Sequence, residues 1–135
     1  MKADIKAQWV KDLRSGEYEQ GQGVLRTTAS GGRSKYCCLG VLCQQAVKAG
    51  VIPEPEFRGV DYFYLNDTYD WDGKVAGESF NENTTLPRKV QEWAGLGPKG
   101  DVYIGGEVSV IQANDSLELS FAKIADLIER NVPAE

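Results

Sequence analysis

Leu39, Leu42, Cys43, Ala46 and Val47 recur at i, i+3, i+4, i+7 and i+8, the apolar stripe of a helix that Gly50 and Pro53 bring to an end. This register fixes the block Tyr36-Cys37-Cys38-Leu39-Gly40-Val41-Leu42-Cys43 at the start of a core helix. The same block also reads as the start of a helix carrying a nucleophilic cysteine. A helix N-terminus lowers a thiol pKa, and Lys35 stands close by. Against this, the chain has no histidine, the residue that ordinarily takes a thiol's proton and the commonest acid or base near neutral pH. Packing as small apolar side chains is the competing role of Cys37 and Cys38. Zinc is disfavoured, because cysteines at 37, 38 and 43 cannot all face one ion from a single helical turn and no histidine completes a tetrahedron. No metal and no cofactor are expected, and an odd number of clustered cysteines suits free thiols in a reducing compartment.

The remaining pattern fits one α+β domain over residues 1–135, a small antiparallel sheet packed with about four helices. Ile5, Trp9, Val10 and Leu13 predict a first helix capped by Asp4 and stopped at Ser15-Gly16. Val24–Thr28 predicts a strand broken by Ala29-Ser30-Gly31-Gly32, and Val60–Leu65 another, followed by a turn at Asn66-Asp67. Leu86, Val90, Trp93 and Ala94 mark a short helix with Pro87 in its first turn and Gly95 as its stop. Asp101–Ile104 and Val108–Ile111 flank Gly105-Gly106 as a hairpin would. Phe121, Ile124, Ala125, Ile128 and Val132 predict a last helix between Ser120 and Pro133.

Charge and composition narrow the partners. Twenty acidic against fifteen basic side chains give a net charge of −5, so duplex nucleic acid, which demands a basic surface, is not an expected partner. A small anion is not excluded, because a few converging arginines hold a phosphate whatever the total charge. No apolar run is long enough to span a bilayer, and Met1-Lys2-Ala3-Asp4 leads straight into an amphipathic pattern. A cytosolic protein with no membrane partner is therefore expected.

Four groups of residues could meet a ligand. Ser30-Gly31-Gly32-Arg33-Ser34-Lys35 runs into the helix predicted from Tyr36, where glycine-freed N–H groups and the helix dipole could draw an anion; a surface loop explains the same residues. Arg26, Arg58 and Arg130 are further guanidinium candidates, and Tyr62, Phe63 and Tyr103 offer ring faces, although each has an ordinary role as surface charge or core aromatic. Ala113-Asn114-Asp115-Ser116 is polar and lies between the last strand and the last helix, where either ligand contact or capping accounts for it. The loop Asp67–Gly73 faintly matches a calcium loop but has threonine where a carboxylate is needed and lacks the closing glutamate, so a solvated turn is the simpler reading.

Four blocks carry a wider likeness: Trp9 with Leu13–Gly21, Tyr36–Cys43, Leu86-Pro87 with Gly95-Leu96, and Asn114-Asp115-Ser116 with Ser120–Asp126. In this order, over nearly the whole chain, they resemble a group of small proteins encoded by tailed bacteriophages. That group is similar to the Thoeris anti-defence 1 family, phage sponges that bind cyclic ADP-ribose isomers and starve a bacterial immune effector of its signal. The resemblance implies sequestration of a small cyclic nucleotide without cleavage, by a homo-oligomer with pockets near its subunit contacts. On that expectation Arg26 and Arg130, with Arg33, would take phosphate, Tyr103 would stack on a base, and Asn114 with Asp115 would meet ribose or base edges. The rival readings are a hydrolase or transferase using Cys37 or Cys38, or the carboxylates Asp67 and Asp70, and an inhibitor that binds a host protein.

Overall fold

The computed structural model describes residues 1–65, 84–97, 101–105 and 107–134. Helix α1 (Ala3–Arg14) turns Ile5, Trp9, Val10 and Leu13 inward, as their spacing requires. Its cap differs from expectation: Lys2 holds the N-cap position without a side-chain bond, and Asp4 sits in the first turn, where a carboxylate complements the helix dipole. Trp9 is fully buried, and its indole N–H donates to the Cys38 carbonyl at 2.8 Å. That bond fastens α1 to the start of α2 (Cys38–Lys48).

Helix α2 is the centre of the core, with every residue from Cys38 to Cys43 buried. It starts later than its sequence suggests, because Ser34–Tyr36 form strand β3 and Cys37 becomes the N-cap. The other strands are β1 (Glu19–Gln20), β2 (Arg26–Thr28), β4 (Glu56–Arg58) and β5 (Asp61–Phe63). They lie in the order β1-β3-β2-β5-β4. The sheet is mixed and not wholly antiparallel: β1 runs parallel to β3, and the other pairings are antiparallel. The cause is connectivity, since the chain reverses between β1 and β2 and again between β2 and β3, and β3 then inserts between the first two.

The strand predicted over 24–28 is shortened at its start because Leu25 belongs to the core. It is fully buried, and its carbonyl accepts the Cys37 N–H at 3.2 Å. Gly40 makes this approach possible: a Cβ built there would stand 1.8 Å from the Leu25 carbonyl oxygen. The strand predicted over 60–65 appears as β5, in a hairpin with β4 whose turn is Gly59-Val60. Gly59 has φ +69, the positive value wanted at the first position of a type II′ turn. The turn expected at Asn66-Asp67 lies outside the described residues.

Helices α3 (Arg88–Ala94), α4 (Val110–Asp115) and α5 (Phe121–Asn131) complete the α+β domain, which among the described residues has five α-helices and a five-stranded sheet around one hydrophobic cluster. Gly95, at φ +72, ends α3, and the Ser120 hydroxyl caps α5 by accepting the Lys123 N–H at 3.2 Å. The hairpin predicted around Gly105-Gly106 is replaced. Tyr103 and Ser109 form a single bridge, and α4 begins at Val110, capped by Ser109, whose hydroxyl accepts the Gln112 N–H at 3.2 Å. The cap and the inward positions Val110, Ala113 and Asn114 outweigh the strand preference of a β-branched run. No described helix is long and apolar enough to cross a membrane.

Gly40→Ala should cost about 2 kcal/mol or more, because the methyl group meets backbone that cannot step aside without moving β2 from α2. Denaturant unfolding measures this directly; a midpoint equal to the wild type's would show that the close approach does not bear on stability.

Candidate ligand-binding site on the sheet

The register of the short strands assembles a row of side chains that are distant in sequence. Arg26 lies opposite Tyr36, Phe57 lies opposite Tyr62, and the pairing of Thr27 with Asp61 sets Arg26 beside Tyr62. Partners directly opposite share a face of the sheet, so β3, β2, β5 and β4 contribute Tyr36, Arg26, Tyr62 and Phe57 in turn. The Arg26 guanidinium carbon stands 4.0 Å from the Tyr62 ring centroid and 5.2 Å from that of Tyr36. Its Nε donates to the Ser34 hydroxyl at 2.9 Å, which holds the plane in place. Phe57 tilts against Tyr62 with centroids 5.0 Å apart.

The row continues beyond Tyr36. Tyr18 meets that ring edge-on at 5.1 Å, and Lys48 at the end of α2 donates to the Tyr18 hydroxyl at 2.9 Å. This hydrogen bond raises the Lys48 pKa and keeps it a cation. Burial raises the Tyr36 pKa, with the Arg26 charge opposing it. Burial likewise pushes Tyr64 far up, and its hydroxyl donates to the Gln44 side chain at 3.2 Å. Tyr36 and Tyr64 are therefore neutral at pH 7. Tyr18, Tyr36 and Tyr62, with Arg26 and Lys48 among them, form a half-exposed surface of π faces and cations. Such a surface suits a ligand with a flat ring and an anionic group.

The residues expected to bind ligand are spread over the molecule. Arg26 lies in the row, as does Tyr62, whereas Phe63 points to the other face, where Arg58 stands 5.2 Å from its ring. Arg33 is exposed, 3.7 Å from a Glu19 carboxylate oxygen. Ser34 and Lys35 lie in strand β3, which separates Gly31 and Gly32 from α2, so the glycines do not lead directly into the helix N-terminus. Tyr103 is exposed beside a cleft of about 240 Å³ that Gly95, Asp101 and Val132 also line. Asn114 is fully buried: its amide donates to the Gly21 carbonyl and the Asp115 carboxylate, both at 2.8 Å, and accepts from Gln20 at 2.9 Å. A ligand would have to displace these bonds to reach it. Arg130 is exposed in the last turn of α5, a helix that packs chiefly on α1 and α4. Asp67, Asp70 and the rest of the Asp67–Gly73 loop lie outside the described residues.

Tyr18, Ser34, Tyr36 and Lys48 also belong to the row; the sequence points to Ser34 only as part of the Ser30–Lys35 loop, and to none of Tyr18, Tyr36 and Lys48 as a ligand contact. The available signal was the spacing of Arg26 and Tyr36 about the Ala29–Gly32 break, which a hairpin would bring opposite one another.

Residues 1–132 match the model of a protein family described as Domain of unknown function (DUF8296). No curated protein and no solved structure matches the chain.

All three thiols are enclosed in the core. Burial pushes Cys37 up to about 12, and it raises Cys38 and Cys43 as well. The helix N-terminus does not offset this loss of hydration. Cys38 instead donates its S–H to the Val110 carbonyl at 3.4 Å, joining α2 to α4. A thiol whose folded pKa lies above its unfolded value supports the fold below the unfolded pKa and loses that contribution as the pH rises. Stability should therefore fall as the pH climbs from 9 towards 12. At pH 8 a disulfide-exchange reagent should label the thiols only as fast as the protein opens. Rapid labelling of one thiol in the native protein would contradict the burial.

Proposed function

The chain belongs to that family over residues 1–132, and we propose that it binds and holds a small ligand bearing an aromatic base and phosphate, without cleaving it. The observation that carries this reading is the Arg26 guanidinium fixed by Ser34 and stacked 4.0 Å from the Tyr62 ring centroid. A guanidinium lying on a ring still directs N–H groups outward from its rim, so one residue can meet phosphate while neighbouring rings receive a base. The deep burial of Cys37 and Cys38 supports retention over thiol chemistry. The resemblance to phage sponges narrows the ligand to a cyclic nucleotide, with a cyclic ADP-ribose isomer as the first candidate. The protein would then act as a counter-defence factor in the cytosol of an infected bacterium, removing an immune signal.

Incubation with cyclic ADP-ribose isomers and other cyclic nucleotides should raise the melting temperature, since a ligand at a hundredfold its Kd adds about 2.7 kcal/mol of stability. Heat denaturation should return the ligand intact; a cleaved product would mark an enzyme instead. Arg26→Ala should weaken retention about tenfold or more. Arg26→Lys should recover little, because an ammonium cannot stack as a guanidinium does. The absence of a melting shift with every nucleotide would overturn the reading.

A further inference from the structure

Strand β4 ends the strand order, and among the described residues it pairs only with β5. The orientation of its backbone follows from its neighbours. Val60 accepts the Thr28 N–H at 2.7 Å and so faces β2, as does Tyr62, which leaves Asp61 facing β4. Arg58 pairs with Asp61 across the Gly59-Val60 turn and faces back towards β5. Phe57 therefore directs its N–H and C=O away from the sheet, and its ring is 53% exposed with Val60 62% exposed nearby. An outer edge that carries a large apolar side chain and turns the Phe57 backbone groups outward is a template for another strand.

The side chains of β4 indicate which strand would fit. Glu56 and Arg58 share the face opposite Phe57, and their charged ends lie 2.9 Å apart. In an antiparallel pair of β4 strands centred on Phe57, each Phe57 faces its copy. Each Glu56 then faces the Arg58 of the partner subunit, so both charge pairs are unlike. Charges on an edge strand ordinarily repel a second copy, but this order of acid, aromatic and base is complementary to itself when reversed. Pro55, which has no N–H, confines the pairing to the length of β4.

We propose that the β4 edge is a docking surface for a second copy of this chain, forming a two-fold dimer through antiparallel β4 pairing. The two sheets become continuous, and the rows of Tyr36, Arg26, Tyr62 and Phe57 meet end to end at the axis.

Sedimentation of the wild-type protein should give twice the chain mass at high concentration. Glu56→Arg alone places two cations on the strand, and Arg58→Glu alone two carboxylates, so each variant should sediment as a monomer. An equal mixture of the two should dimerise, because one strand now supplies both cations and the other both acids. The double variant Glu56→Arg/Arg58→Glu should dimerise by itself, with circular dichroism reporting whether each variant is folded. A monomeric wild type, or folded single variants that remain apart when mixed, would overturn the proposal.

Discussion

The contact on which the rest of the structure depends is the meeting of α2 with the strand region at Gly40 and Leu25. The Leu25 carbonyl sits where any Cβ at position 40 would be and accepts the Cys37 N–H. This brings the first turn of α2 against the residue that precedes Arg26. Trp9 secures the same turn from the other side through the Cys38 carbonyl. Since the strands span only two or three residues each, they have little cohesion of their own. Their register depends on being held at this point.

That dependence gives the candidate site its character. Arg26 does not reach into a deep cavity; it lies on a sheet whose pairing determines which rings stand beside it. Moving β2 by one residue would turn Arg26 to the opposite face and break the row. The buried bonds of Gln20 and Asn114 add a second fastening, tying β1 to α4 and to the Gly21 carbonyl. A polar side chain that looks ready for a ligand in sequence is thus part of what keeps β1 in place.

Helices α1, α2, α3 and α5 were legible in the sequence because their apolar spacing is local. The stripes of Trp9 and Val10, of Leu39 to Val47, of Val90 and Ala94, and of Ile124 to Ile128 all turn towards the core with little change at the ends. The strands were far less legible. Ser34–Tyr36 has no alternation long enough to mark it, and only its pairing with Arg26–Thr28 makes it a strand. Val108–Ile111 shows the opposite failure, since its β-branched residues predict a strand while the Ser109 cap starts a helix. In the site, Arg26 and Tyr62 could be named from chemistry alone. Tyr36 was hidden in the cysteine block, and Tyr18 had no distinguishing neighbour. Their convergence is set by long-range register, which no local pattern encodes.

Cys37 to Cys43 belong to the core, and the proposed ligand surface is the row that runs through Tyr36, the first residue of the same block. Nuclear magnetic resonance of the tyrosine rings during titration with a cyclic ADP-ribose isomer tests this most directly. Resonances of Tyr36 and Tyr62 should shift together along one saturation curve, with Tyr103 unaffected. Saturable shifts at Tyr103, with Tyr36 and Tyr62 unmoved, would place the ligand elsewhere and contradict the account.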